Sequence, residues 1–184
     1  WGYSYLDHSA GYYGSIAILM ALHHRARTGQ GQHVDMAQIE TGMVLCGVPM
    51  LDYQVNGREY ERVGNRSRYP AIAPHNTYRC AGDDRWIAIV AETQQQWSAL
   101  CDVLGLDCAD DPHFADNDSR KQNEDALDAA IAAATVGHDP VELMLALQAS
   151  DVPAGLCQRS DDKMERDPQL AARDFYPTAT HPVL

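Results

Sequence analysis

The sequence predicts a mixed α/β chain with an apolar helical region first and a small α+β domain after it. Three observations predict this. Two long apolar helical segments fill residues 1–57, ending at Thr28-Gly29 and Asn56-Gly57. Two short apolar segments flank Ala81-Gly82-Asp83-Asp84, the pattern of a hairpin. The charge also changes along the chain. Residues 1–80 carry seven basic and six acidic side chains, whereas residues 81–184 carry seven basic and twenty acidic ones. That division suggests two regions with different roles, and an anionic ligand would suit the first. An acidic solvated surface on the second region explains the same asymmetry. The expected segments are 1–57, a linker at 58–75, a small domain at 76–160 and a trailing segment at 161–184.

Each element has its own local reason. Ser9 to Arg27 reads as a helix, with Ile16, Leu19, Met20 and Leu22 forming an apolar stripe. His23, His24, Arg25 and Arg27 suit the negative end of its dipole, and Gly29 stops it. Gly11 and Gly14 cost helix stability, so they mark a close approach by another backbone or a ligand. His33 to Met36 is a short strand candidate. Ala37 to Val55 is a second apolar helix, which Pro49 should kink or break. Residues 58–75 hold four Arg and two Pro without periodicity. Strands are expected at Asn76 to Cys80 and Arg85 to Ala91. Thr93 can cap a helix reaching about Val103, residues 119–135 read as one helix, and Asp139-Pro140 opens another. Val152 to Gln158 is a strand candidate. Ser160 to Asp167 is a capped helix, and the last residues run extended around Pro177 and Pro182.

Composition narrows the functional classes. The 184 residues are 45% hydrophobic and 22% charged, with a net charge of −12. This is globular rather than disordered, and it argues against nucleic acid, which needs a basic face. The longest uncharged apolar runs, Ile16–Leu22 and Gly42–Leu51, are too short to span a bilayer, so no membrane partner is expected. No basic segment followed by a cleavable apolar stretch suggests secretion, and a cytoplasmic home is expected. The first residue is Trp, so the chain reads as a piece of something longer. The five cysteines, Cys46, Cys80, Cys101, Cys108 and Cys157, are odd in number and lack CxxC spacing. They read as structural, with Cys46 and Cys101 in the core. The eight histidines, His181 among them, form no HxxxH or HExxH pair, so no metal is expected.

Asp7 stands where a helix begins. One reading makes it an N-cap. The other makes it a nucleophile, because a carboxylate at a helix N-terminus is held ionised by the dipole and the free N–H groups. Gly11 and Gly14 would leave room for a substrate beside it.

Asp7-x-x-x-Gly11, an apolar helix, then Arg25-Ala26-Arg27-Thr28-Gly29-Gln30-Gly31-Gln32 and a short strand resemble the signature of the family III CoA-transferases. That family includes the formyl-CoA and carnitine CoA-transferases. Gly64-Asn65-Arg66, Ala73-Pro74-His75-Asn76-Thr77-Tyr78-Arg79-Cys80 and Asp84-Arg85-Trp86-Ile87-Ala88-Ile89 resemble the way such enzymes lead into their small domain. Trp97 and Leu100 fit the following helix. Asp151-Val152-Pro153-Ala154-Gly155 and Asp167-Pro168-Gln169-Leu170 resemble late small-domain segments.

The resemblance implies that residues 1–57 close a Rossmann-like large domain and that 161–184 begin a linker returning to it. Most CoA contacts would then lie upstream of Trp1. It implies Asp7 as the catalytic nucleophile. Gly11, Asn65, Arg66 and His75 are the expected substrate- or CoA-binding residues. The implied partners are an acyl-CoA, whose CoA thioester is substrate rather than resident cofactor, and a carboxylic acid. Asp7 would attack the thioester, and an aspartyl-CoA intermediate would pass CoA to the incoming acid. Some relatives use a glycine run to bind the oxyanion; none exists here, so those donors stay unassigned.

Two other functions fit the same residues. One is a 2-methylacyl-CoA racemase, in which the equivalent Asp works with a His upstream of this chain. The other is a non-catalytic interaction fragment. Arg25, Arg27, Arg66 and Arg68 fit both CoA contacts and a solvated surface, and the isolated chain is expected to bind CoA weakly. A homodimer or larger is expected through the apolar residues 9–55, since the acidic 81–184 region repels its copy.

Overall fold

The computed structural model describes residues 4–109 and 111–180. Trp1, His181 and Pro182 lie outside the described residues. The chain divides into two compact units, Trp1–Arg62 and Val63–Leu184, with the division inside the 58–75 segment.

The first unit is helical. Helix α1 (Tyr5–Thr28) starts four residues before the expected Ser9, because the Ser4 carbonyl accepts the N–H groups of Asp7 (3.1 Å) and His8 (3.3 Å). Asp7 therefore sits inside the first turn and is not the cap. The helix ends as expected, at Gly29 with φ 76°. Residues 33–36 form no strand, in contrast to the expectation. The three named strands all lie in the second unit, and without a hydrogen-bonding neighbour an extended segment is no strand. The second apolar segment is two helices, α2 (Gln38–Leu45) and α3 (Gly47–Asn56). Pro49 explains the break: its ring would meet the carbonyl of Leu45, where α2 stops. Cys46, at the break, is exposed rather than in a core. Thr41 of α2 is buried beside α1, where its hydroxyl lies 3.4 Å from that of Ser9. The glycine that permits this approach is Gly42, where a Cβ would collide with Leu6, whereas Gly11 faces open space.

The second unit is an antiparallel sheet of order β1-β2-β3, from β1 (His75–Arg79), β2 (Trp86–Val90) and β3 (Ala154–Leu156). The hairpin between β1 and β2 turns through Gly82 at φ 102° and Asp84 at φ 49°. Ile87 and Ile89, two apart on β2, are both buried. Helices α4 (Gln94–Leu104), α6 (Glu124–Thr135) and α7 (Pro140–Ala149) bring Trp97, Leu100, Leu127, Ile131, Leu143 and Leu147 into the same core. The caps predicted at Thr93 and Asp139 form. Thr93 and Gln96 make a reciprocal capping box, and Asp139 accepts the N–H groups of Val141 and Glu142.

The expected 119–135 helix is broken at Asn123 into α5 (Asn117–Gln122) and α6. The Asn123 side chain donates to the carbonyls of Ser119 (2.9 Å) and His113 (3.2 Å), tying the break to the preceding loop. Two short helices follow β3, α8 (Ser160–Glu165) and α9 (Pro168–Ala172). The second was not expected, although Asp167-Pro168 repeats the Asp139-Pro140 start signal.

Arg85 ties β2 to α8 through the buried carboxylate of Asp162, at 2.6 Å. The Arg85 hydrogen bond, then the backbone N–H of Arg159, hold the Asp162 carboxyl below the usual carboxylate range. A depressed folded value means the native state prefers ionised Asp162. The contribution is complete above the unfolded carboxylate pKa of about 3.9 and is lost as pH falls through the lower folded value. Thermal unfolding followed below about pH 4 should therefore fall less steeply in Asp162→Asn than in the parent chain. Equal slopes would remove Asp162 from the acid response.

Candidate active-site carboxylate and small-domain cluster

Asp7 is exposed in the first turn of a 24-residue helix. Its Oδ1 accepts a hydrogen bond from Nε2 of Gln38, the first residue of α2. That contact orients the carboxylate and leaves its second oxygen without a partner from Gln38. Gly11 lies one turn on, on the same helix face. Nothing lies within 4 Å of where its Cβ would stand, so the surface beside Asp7 is open. Gln38 was missed by sequence reasoning. Its only sequence signal is an amide at the start of the helix after the Thr28-Gly29-Gln30-Gly31-Gln32 block.

Asn65, Arg66 and His75 gather at the start of the second unit. His75 Nδ1 lies 2.6 Å from the Asn65 carbonyl. A carbonyl only accepts, so Nδ1 carries the hydrogen, the tautomer whose Nε2 is the acceptor. The Asn65 side chain donates to the Thr77 hydroxyl at 2.8 Å, fixing the turn to β1. Arg66 donates to Asp128 through Nε (2.9 Å) and Nη2 (2.7 Å), and to Asp125 at 2.7 Å. Asp128 also accepts from Asn76 (3.0 Å) and the Tyr78 hydroxyl (2.7 Å). Burial, then Asp128, pushes the Tyr78 hydroxyl well above its ordinary pKa. Burial lowers that of Arg66, but its bonds to Asp125 and Asp128 outweigh this and raise it. Arg66 therefore joins the segment before β1 to α6, with its charge matched by carboxylates.

Asp7 and Gly11 thus share one helix face in the first unit, and Asn65, Arg66 and His75 share one patch in the second. Arg25 and Arg27 are exposed in the last turn of α1, and Arg68 stacks over Tyr69 at 5.6 Å. Among the described residues, no group of three or more His, Cys, Asp or Glu could hold a metal ion. Among them, too, no single helix is long and apolar enough to cross a membrane. The pair α6 and α7 reaches that apolarity only across a 116° bend, and it packs Leu127, Ile131, Leu143 and Leu147 into the core.

The profile of CoA-transferase family III matches residues 1–183, and the chain belongs to that family. A probable CoA-transferase of Mycobacterium tuberculosis is 36% identical over 97% of this chain and 22% of its own length. A succinyl-CoA–D-citramalate CoA-transferase of Chloroflexus aurantiacus is 34% identical over 94% of this chain and 42% of its own. The crystal structure of a CaiB/BaiF family protein from Brucella suis is 34% identical and superimposes with a TM-score of 0.85, covering 94% of this chain and 45% of that one. The chain thus spans less than half the length of these relatives.

Proposed function

We propose that the protein to which this chain belongs transfers CoA from an acyl-CoA to a carboxylic acid, with Asp7 as the covalent nucleophile. The observation that carries the proposal is the Asp7 carboxylate, exposed in the first turn of α1, oriented by Gln38 and open over Gly11. Membership of a family whose relatives are CoA-transferases supports it.

The chemistry follows from those groups. An Asp7 oxygen attacks the thioester carbonyl, the C–S bond breaks, and CoA leaves as the thiolate, giving a mixed anhydride. The thiolate attacks the aspartyl carbonyl and the donor acid departs, leaving an aspartyl-CoA thioester. The acceptor carboxylate attacks that carbonyl and expels the thiolate again. Attack of the thiolate on the acceptor's acyl carbon releases the new acyl-CoA and restores the Asp7 carboxylate. No step requires net proton uptake. Each tetrahedral oxyanion needs its own hydrogen-bond donors.

Succinyl-CoA is the first donor to test, since the Chloroflexus relative is named for it. With succinyl-CoA and an isotopically labelled carboxylic acid, the full-length enzyme should form labelled acyl-CoA with ping-pong kinetics. Solvent deuterium appearing at the carbon next to the thioester, without transfer, would favour a racemase instead.

His75 and Asn65 serve as CoA- or substrate-binding groups, with His75 Nε2 accepting a hydrogen bond from a donor group of the bound acyl-CoA, such as a pantetheine amide N–H. His75→Ala should raise the KM for acyl-CoA by about tenfold, the worth of one hydrogen bond, with kcat little changed. An unchanged KM would remove His75 from the binding site. The protein acts as a homodimer, supported by the exposed Ile16, Leu19, Ile39, Met43, Val48 and Leu51 on α1–α3. Light scattering should show a dimer that weakens when Ile16 and Leu19 are made polar. A stable monomer of the parent would contradict it.

A further inference from the structure

We infer that Cys101 and Cys108 form an oxidisable dithiol that closes to an intrachain disulfide at the end of α4. The two sulfurs lie 3.9 Å apart. Cys101 stands in the last turns of α4, buried in the small-domain core, and Cys108 lies in the turn that follows Gly105. The chain doubles back here because Leu106 N–H donates to the Cys101 carbonyl at 2.9 Å. A disulfide needs the sulfurs at about 2.05 Å, so they must approach by about 2 Å. Cys101 is fixed by the helix and the core, whereas Cys108 is half-buried outside any helix, so the turn supplies the movement. This site is independent of the acyl-transfer chemistry.

The reaction balances with a peroxide as oxidant. The Cys108 thiolate attacks hydrogen peroxide, giving a sulfenic acid and hydroxide. The Cys101 sulfur then attacks that sulfenic sulfur, and its oxygen leaves as water. Overall two thiols and one peroxide give one disulfide and two waters. Burial, then Cys108 and Asp102, pushes the Cys101 thiol up to about 12, with Arg120 opposing. Burial, Asp111 and Asp107 raise Cys108 too, against the opposing bond to Cys101. The pair is therefore slow to ionise at neutral pH. The half-buried Cys108 is the sulfur that peroxide reaches first.

The chain offers a clean assay, because the tryptic peptide Trp86–Arg120 contains these two cysteines and no others. The intact protein is treated with hydrogen peroxide, quenched, unfolded in denaturant, alkylated with iodoacetamide and digested. The expected result is a Trp86–Arg120 peptide two hydrogens lighter, carrying no alkyl group, with both alkylation sites restored by dithiothreitol. Cys108→Ser, which keeps the side-chain size in a half-buried turn, should abolish the light peptide and leave Cys101 alkylatable. A parent peptide that stays doubly alkylated would overturn the inference. So would oxidation of Cys108 to the sulfinic acid with Cys101 still a thiol, or pairing of either with Cys80 or Cys157.

Discussion

Replacing Asp7 by Asn in the full-length enzyme is expected to lower CoA-transfer turnover by on the order of a thousandfold or more, the scale of losing a covalent nucleophile. The carboxamide has nearly the same shape, so the change isolates the chemistry from the packing. Asp7 is exposed and is not the cap of α1, so folding should survive. The structural cost is limited to one acidic side chain in a first turn, about 0.3–1 kcal/mol. Circular dichroism and thermal unfolding close to the parent, alongside lost turnover, identify a nucleophile. Near-parental turnover would refute the role, and loss of folding would return Asp7 to a structural part.

Arg120→Ala should give the largest stability loss in the second unit, about 3–5 kcal/mol. Arg120 is 1% exposed, yet no carboxylate bonds its guanidinium among the described residues. It donates instead to the carbonyls of Ala73 (2.8 Å) and Phe114 (3.1 Å) and to the Gln94 side chain (2.8 Å). Its guanidinium also lies 5.3 Å from the centroid of the Trp97 ring, whose edge packs on Phe114. Burial lowers its pKa, with Asp116 partly opposing, but an arginine stays charged. One cation thus satisfies three acceptors from three separate segments: the lead into β1, the start of α4 and the loop before α5. Alanine strands those acceptors and leaves a void beside Trp97. Thermal unfolding should fall by about 10 °C or more. A loss under about 1 kcal/mol would mean that water replaces the guanidinium at little cost.

Much of this architecture is written in local signals. Thr93 with Gln96, Asp139 with Pro140 and the Gly82-containing turn announce themselves because each satisfies its neighbours' backbone groups within a few residues. Gln38 and Arg120 do not, since their partners lie far along the chain. No spacing rule shows a cation bonded to carbonyls of residues 73 and 114. Residues 33–36 misled because β-propensity describes a side chain's fit to a sheet and cannot supply the neighbouring strand. Cys46 misled because the apolar residues of α2 and α3 surround it in sequence while much of their surface faces outward. Helix α1 begins before Ser9 because Tyr5, Leu6, Tyr12 and Tyr13 add apolar side chains around its first turns, so the Ile16–Leu22 stripe does not mark its N-terminus. Among the candidate residues, the Asp7–Gly11 spacing of the first unit is legible in the sequence, and the Asn65–His75 bond of the second, across ten residues, is not.

The most direct measurement is chemical trapping on Asp7. The full-length enzyme is incubated with an acyl-CoA but no acceptor acid, quenched with borohydride, digested and mapped by mass spectrometry. Borohydride reduces an aspartyl thioester to the alcohol, so the account predicts that Asp7 is recovered as homoserine, and only when acyl-CoA was present. An unmodified Asp7 in an enzyme that turns over normally, or the adduct on a different carboxylate, would contradict it.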